Sequence, residues 1–179
     1  PHLDDKVLTS WNGLMIAAFA YGAATLDEPR YLDAAQRAAE FLLAHLRSGE
    51  RLLRRFRDGD ARLSGTLEDY AFFAYGLLEL YEASLDPRWL AEAKRICAQM
   101  VARFWDEQHS GFWLRDQEDE PLIVRAKEIY DGATPSGNAV AVLVLLQLGR
   151  LTADAHLEAL GRRALEGCAT TLASTPFGS

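Results

Sequence analysis

Cysteine is nearly absent. Among 179 residues only Cys97 and Cys168 carry a thiol, and neither belongs to a CxxC pair or lies near a histidine at metal-ligand spacing. That excludes a disulfide-stapled fold and a cysteine-based zinc site, and two unpaired thiols point to a reducing, cytoplasmic compartment. No pair among His2, His45, His109 and His156 has ligand spacing, so neither metal nor cofactor is expected. His45, His109 and His156 read as solvent or loop residues, and His2 is too near the chain end to read.

Positive charge is scarce as well. Lys and Arg total 19 against 26 Asp and Glu, a net charge of -7, which argues against a nucleic-acid surface. The basic cluster Arg51, Arg54, Arg55 and Arg57 is short and runs into Asp58 and Asp60, so a solvated turn region is expected there. Long apolar runs are missing too. Gly13 to Leu26, the longest uncharged stretch, falls short of the ~20 residues that cross a bilayer, and no membrane partner is expected. No signal peptide is visible, and the sequence begins at Pro1. With 49% hydrophobic and 25% charged residues the chain reads as globular, not disordered.

What is present is helical periodicity, in pairs. "SWNGLMIAAFAYGAATL" is apolar on every side, whereas "RYLDAAQRAAEFLLAHL" after Pro29 has one apolar and one charged face. "TLEDYAFFAYGLLELYEAS" and "RWLAEAKRICAQMVARFW" repeat the alternation, and so do "PSGNAVAVLVLLQLG" and "DAHLEALGRRALEGCATTLA". A helix apolar all round must be covered all round, so the chain is expected to form inner helices packed together and outer helices against water. The inner helices start near residues 10, 67 and 136, about 57 and 69 apart, too far for the ~34- to ~47-residue helical solenoids. The fold class is therefore all-α, an α/α toroid. Three hairpins are expected at about 9–46, 66–106 and 135–174 within a single partial domain, 1–179. The connections within pairs are short and those between pairs are long. The long ones are expected to carry strand-like runs such as Gly111 to Leu114 and Leu122 to Val124, and to gather at the inner-helix starts.

Those starts hold the unusual chemistry: Asp5, Lys6, Ser10, Trp11 and Asn12; Glu68, Asp69 and Tyr70; Lys127, Glu128, Asp131, Ser136 and Asn138. Converging helix N-termini would form a polar cup over an apolar floor, the general form of a small-molecule site. Capping competes with this. Ser10 and Thr134 read equally as N-caps, with Pro135 at a first helical position, and Thr66 to Asp69 resembles a capping box. Trp11 reads as core or as a sugar platform, and Asn12 and Asn138 need buried partners. Two carboxylates at one mouth suit general acid–base work, as in glycoside chemistry, with Asp69, Glu68 and Asp131 the catalytic candidates and Asp5 beside them. Trp11, Asn12, Tyr70, Ser136 and Asn138 would position a sugar, and Lys6, Arg125 or Lys127 would meet an anionic substituent.

"LDDKVLTSWNGLMIAAFA", "GTLEDYAFFAYGLLELYEAS" and "DGATPSGNAVAVLVLLQL" resemble, in order, three signatures of the thioredoxin-domain-containing, spermatogenesis-associated protein 20-like family. The resemblance spans roughly residues 3 to 150. It implies a six-hairpin α/α toroid, similar to those of glycosidases and N-acylglucosamine 2-epimerase, following a thioredoxin-like domain. This sequence has no thioredoxin-like segment, no CxxC and none of the earlier toroid signatures, and is expected to be a fragment of about three of six hairpins. Its expected partners are a sugar-like ligand, the other toroid half, the thioredoxin-like domain, and a second copy docked on exposed inner-helix faces. The functional expectation is a carbohydrate-active, glycosidase- or 2-epimerase-like toroid, with a non-catalytic ligand- or protein-binding module as the alternative and a helical scaffold as a third.

Overall fold

The computed structural model describes residues 4–116, 118–119 and 126–174, with side chains as far as residue 167. A short strand, β1 (Val7–Leu8), leads into α1 (Thr9–Leu26), which turns back into α2 (Pro29–His45). Strands β2 (Arg47–Ser48), β3 (Arg51–Arg57) and β4 (Asp60–Ser64) follow, then α3 (Leu67–Ser84) with α4 (Pro87–Phe104), and α5 (Gly137–Thr152) with α6 (Ala155–Ser174). Helices α1, α3 and α5 pack side by side with α3 in the middle. Each of α2, α4 and α6 packs on the helix before it. No described helix is long and apolar enough to cross a membrane.

The all-round apolar pattern has its full meaning only in α3, where Phe72, Phe73, Leu77, Leu78 and Leu80 are all buried. Its partner α4 buries Trp89, Ala93, Ile96, Met100 and Phe104 at helical spacing, and each large side chain so buried contributes about 1.5–3 kcal/mol. Cys97 sits on the same face. Burial pushes its thiol up to about 12, so it packs and does not react. Helix α1 departs from the expectation. It packs against α2 and α3, leaving Met15, Tyr21 and Leu26 exposed.

Gly13 and Gly76 set the approach of α1 to α3. A Cβ on Gly13 would fall 2.5 Å from the backbone carbon of Phe72, and one on Gly76 would fall 2.5 Å from the Gly13 carbonyl oxygen. The two helices touch backbone to backbone, which any side chain would prevent.

The inner helices all stop in the same way. Asp27, Leu85 and Ala153 adopt left-handed backbone at φ 52°, 56° and 53° and reverse the chain. Pro29 and Pro87 then occupy first helical positions, where a missing N–H costs nothing. Asp86 and Asp154 cap their helices by accepting from the N–H groups of Arg88 (3.0 Å) and His156 (3.0 Å).

The basic cluster is not a turn. Arg51–Arg57 is β3, the strand to which β1, β2 and β4 all pair antiparallel, with registers Val7↔Phe56, Arg47↔Leu52 and Leu53↔Ser64. Leu52 is buried beneath it, and Phe56 packs edge-on to Phe41. The reversal lies at Asp58-Gly59, both at positive φ, a dipeptide that is itself a hairpin signal. The strand expected over Gly111 to Leu114 reduces to one bridge, Trp105↔Phe112, and Leu122 to Val124 lies outside the described residues.

Candidate functional site at the inner-helix starts

The starts of α1, α3 and α5 adjoin. One oxygen of Asp69 accepts from the Ser10 N–H at 3.0 Å, and the other accepts from the Thr66 N–H at 2.9 Å and the Thr66 hydroxyl at 3.2 Å. The capping box of α3 is thus also the cap of α1, whose own N-cap residue, Leu8, offers no side-chain bond. On the other flank Gly137 rests on Leu67 and Glu68, where a Cβ would lie 3.2–3.3 Å from their side chains. Ser136 caps α5 by accepting from the Ala139 N–H at 3.1 Å. Thr134 and Pro135 therefore lie outside the helix, and Ser10 is capped by Asp69 and is not itself the cap.

This geometry reassigns most of the expected site. Asp69 is 1% exposed and bonded at both oxygens. Burial pushes its carboxyl above the ordinary aspartate value, against the pull of the Thr66 N–H, Arg54 and the Ser10 N–H. It holds two helices together and has no free oxygen for a substrate. Tyr70 is 1% exposed, and its hydroxyl accepts from the Leu52 N–H at 2.9 Å, stitching α3 to β3. The amide of Asn138, 2% exposed, accepts from the Phe112 N–H (2.8 Å) and donates to the Phe112 and Glu128 carbonyls (both 3.0 Å), fixing the second long connection to α5. Asp131 accepts from the Ser136 N–H at 2.7 Å. It lines a small cleft of about 180 Å³ with Ile129 and Val142, and Asp69 is not among the described residues of that lining. Asn12 donates to the Leu8 carbonyl at 2.8 Å. Asp5 pairs with Arg57 (2.8 Å) and Lys6 with Asp4 (3.3 Å) at the surface. Arg125 lies outside the described residues.

Lys127 also has a structural position. Its ammonium meets Asp106 at 2.7 Å, donates to the Ser110 carbonyl and lies over the Trp113 ring. Desolvation pushes the Asp106 carboxyl up, but Lys127 and the Gln108 and His109 N–H groups outweigh it and hold it at about 2. This value lies below the ordinary 3.8, so the stabilisation is complete above about pH 4 and is lost as pH falls toward 2. Asp106→Asn is expected to cost about 2 kcal/mol at neutral pH. It should also flatten the loss of stability between pH 4 and 2, as read from urea denaturation at each pH.

Two expected residues keep their chemistry at the surface. Trp11, in the first turn of α1, is 64% exposed. Glu68, in the first turn of α3, is half-buried and makes no hydrogen bond or salt bridge among the described residues. Burial raises its carboxyl above the ordinary glutamate value, the charges of Glu128 and Asp69 add to this, and Arg54 opposes them. Arg54 was hidden in the supposed turn. It lines a cleft of about 310 Å³ with Leu63, Ser64, Thr66, Arg115 and Asp119. Among the described residues no group of His, Cys, Asp and Glu is placed to hold a metal ion.

No family model matches the chain. Human spermatogenesis-associated protein 20 is 40% identical over 164 residues, which is 85% of this chain and 21% of that protein. The chain thus spans about a fifth of the length of that curated relative. Among solved structures, cellobiose 2-epimerase from Spirochaeta thermophila superposes with a TM-score of 0.74 at 21% identity, over 94% of this chain and 44% of the other. Unsaturated glucuronyl hydrolase from Bacillus sp. GL1 does so with a TM-score of 0.69 at 15% identity, over 93% and 48%. The chain has the α/α toroid fold of six-hairpin glycosidases and epimerases, and its sequence similarity to spermatogenesis-associated protein 20 covers most of its length.

Proposed function

We propose that this chain, similar over most of its length to spermatogenesis-associated protein 20, forms one side of a saccharide site in an α/α toroid. Glu68 is its proton-handling acid, and Trp11 is the platform for the apolar face of a sugar ring. One observation carries the reading. Where three inner helices meet, Asp69, Tyr70, Ser136 and Asn138 are all bonded to backbone, whereas Glu68 is unbonded among the described residues and held toward its protonated form. A glutamate whose carboxyl is raised by burial and by a second carboxylate, here Glu128, suits a glycosidase- or 2-epimerase-like proton transfer. The similar structures named for cellobiose and glucuronyl substrates support a saccharide as the ligand class. The solved toroids are about twice as long as this chain, which supports further hairpins covering Met15 and Tyr21 on the open face of α1.

A second reading is a non-catalytic binding module serving a thioredoxin-like domain. It is favoured by Asp69 and Asp131 both being engaged as caps. The two readings part on Glu68→Gln in the full chain, assayed with cellobiose and an unsaturated glucuronyl disaccharide. The enzyme reading expects turnover to fall about 100-fold or more with binding nearly unchanged. The module reading expects no turnover in either protein, and unchanged binding. In both, Trp11→Ala is expected to weaken sugar binding about tenfold. Absence of both turnover and binding with every sugar tested would sink the proposal.

A further inference from the structure

We infer that the cleft lined by the β3–β4 hairpin and the second long connection is an anion subsite, in which Arg54 receives the carboxylate or phosphate of a charged sugar. The inference rests on the saccharide reading above and narrows its ligand class. The cleft, about 310 Å³, is of a size to take one small substituted ring. Its wall includes Thr66, the N-cap of α3 two residues before Glu68, and the Arg54 charge acts on both Glu68 and Asp69. Glu68 thus follows the wall by two residues and lies within the field of Arg54.

The charges in the wall favour an anion. On the same strand Arg51 pairs with Asp116, Glu118 and Asp119, and Arg57 pairs with Asp5. Arg54 is exposed and makes no salt bridge among the described residues. Asp119, the one acid among the described residues of the wall, is already faced by Arg51 at 4.0 Å, and Arg115 adds a second guanidinium. A planar guanidinium matches the two oxygens of a carboxylate or phosphate.

Beside Arg54 on the paired strand is Leu63, 59% exposed and in left-handed backbone at φ 66°. A leucine there carries backbone strain and forgoes burial, a combination that favours a site over a packing role. It gives the ring an apolar surface while Arg54 takes the charge. An anionic substituent bound here would also push the Glu68 carboxyl further up, because a negative charge nearby disfavours its ionisation.

The test is NMR titration of the full chain with glucuronate, glucose 6-phosphate and glucose. At least one charged sugar is expected to bind about tenfold or more tightly than glucose, and which one it is separates carboxylate from phosphate as the source of the charge. Arg54→Ala is expected to erase that preference and leave glucose binding unchanged in a protein that circular dichroism shows to be folded. Arg54→Lys is expected to restore only part of it, since the charge returns without the fork. Glucose binding with no preference for charge, or a preference surviving Arg54→Ala, overturns the subsite and leaves the saccharide reading intact. Failure of all three sugars to bind overturns both.

Discussion

Gly13→Ala is expected to destabilise the protein by about 3 kcal/mol or more, and Gly76→Ala by a similar amount, because each forces a methyl into backbone. A Cβ on Gly13 would lie 2.5 Å from the Phe72 carbonyl carbon and 2.6 Å from both the Phe72 oxygen and the Phe73 nitrogen. No side chain can rotate away to make room. Helix α1 would have to move, yet its first turn is tied to α3 by the bond from Ser10 to Asp69. Gly22→Ala is the control. Its Cβ would lie 3.5 Å from the Tyr31 ring, an ordinary contact, and losing a helical glycine should add about 0.5–1 kcal/mol of stability. Urea denaturation of the three variants reads the difference directly. Equal effects at Gly13 and Gly22 would show that the helices do not meet backbone to backbone.

The second large effect is expected at Asp69. Replacing it with alanine orphans the Ser10 and Thr66 N–H groups at a buried junction and removes the capping box of α3, a loss of about 3–5 kcal/mol. Asparagine keeps the shape but turns an amide donor toward donors, so Asp69→Asn is expected to recover less than half of that loss. Activity and binding should fall only as far as the folded fraction falls. A well-folded Asp69→Asn protein that has lost all turnover would return Asp69 to catalysis and displace Glu68 from the role given to it here.

That exchange of roles shows where sequence reading reaches its limit. A cap and a catalytic acid are the same residue types at the same position, the first turn of a helix. Asp69 and Glu68 are neighbours in sequence, and what separates them is that Ser10 and Thr66 approach one of them only. Asn138 needed partners, as its place in an apolar helix implied, but they came from Phe112 and Glu128 on a distant connection, which periodicity does not reveal. The alternation of inner and outer helices was legible because burial imposes it residue by residue, most clearly along α3. In α1 the same apolar pattern did not distinguish a face covered by α2 and α3 from the face that holds Met15 and Tyr21. The strand at Arg51–Arg57 was obscured by like charges, although Leu52, Phe56 and the following Asp58-Gly59 turn carried its signal.

The tight reversals at Asp27, Leu85 and Ala153 have a further consequence. Each closes its hairpin at the pole opposite the helix starts, within two residues, and leaves no slack for insertion. The connections from α2 to α3 and from α4 to α5 lie at the other pole and carry strands β2 to β4, Arg54 and Glu128. Rigidity and chemistry are thus assigned to opposite ends of the same helices. Descendants of this chain would be free to rewrite what they recognise by lengthening or exchanging the connections at one pole, while the other pole keeps the bundle in register.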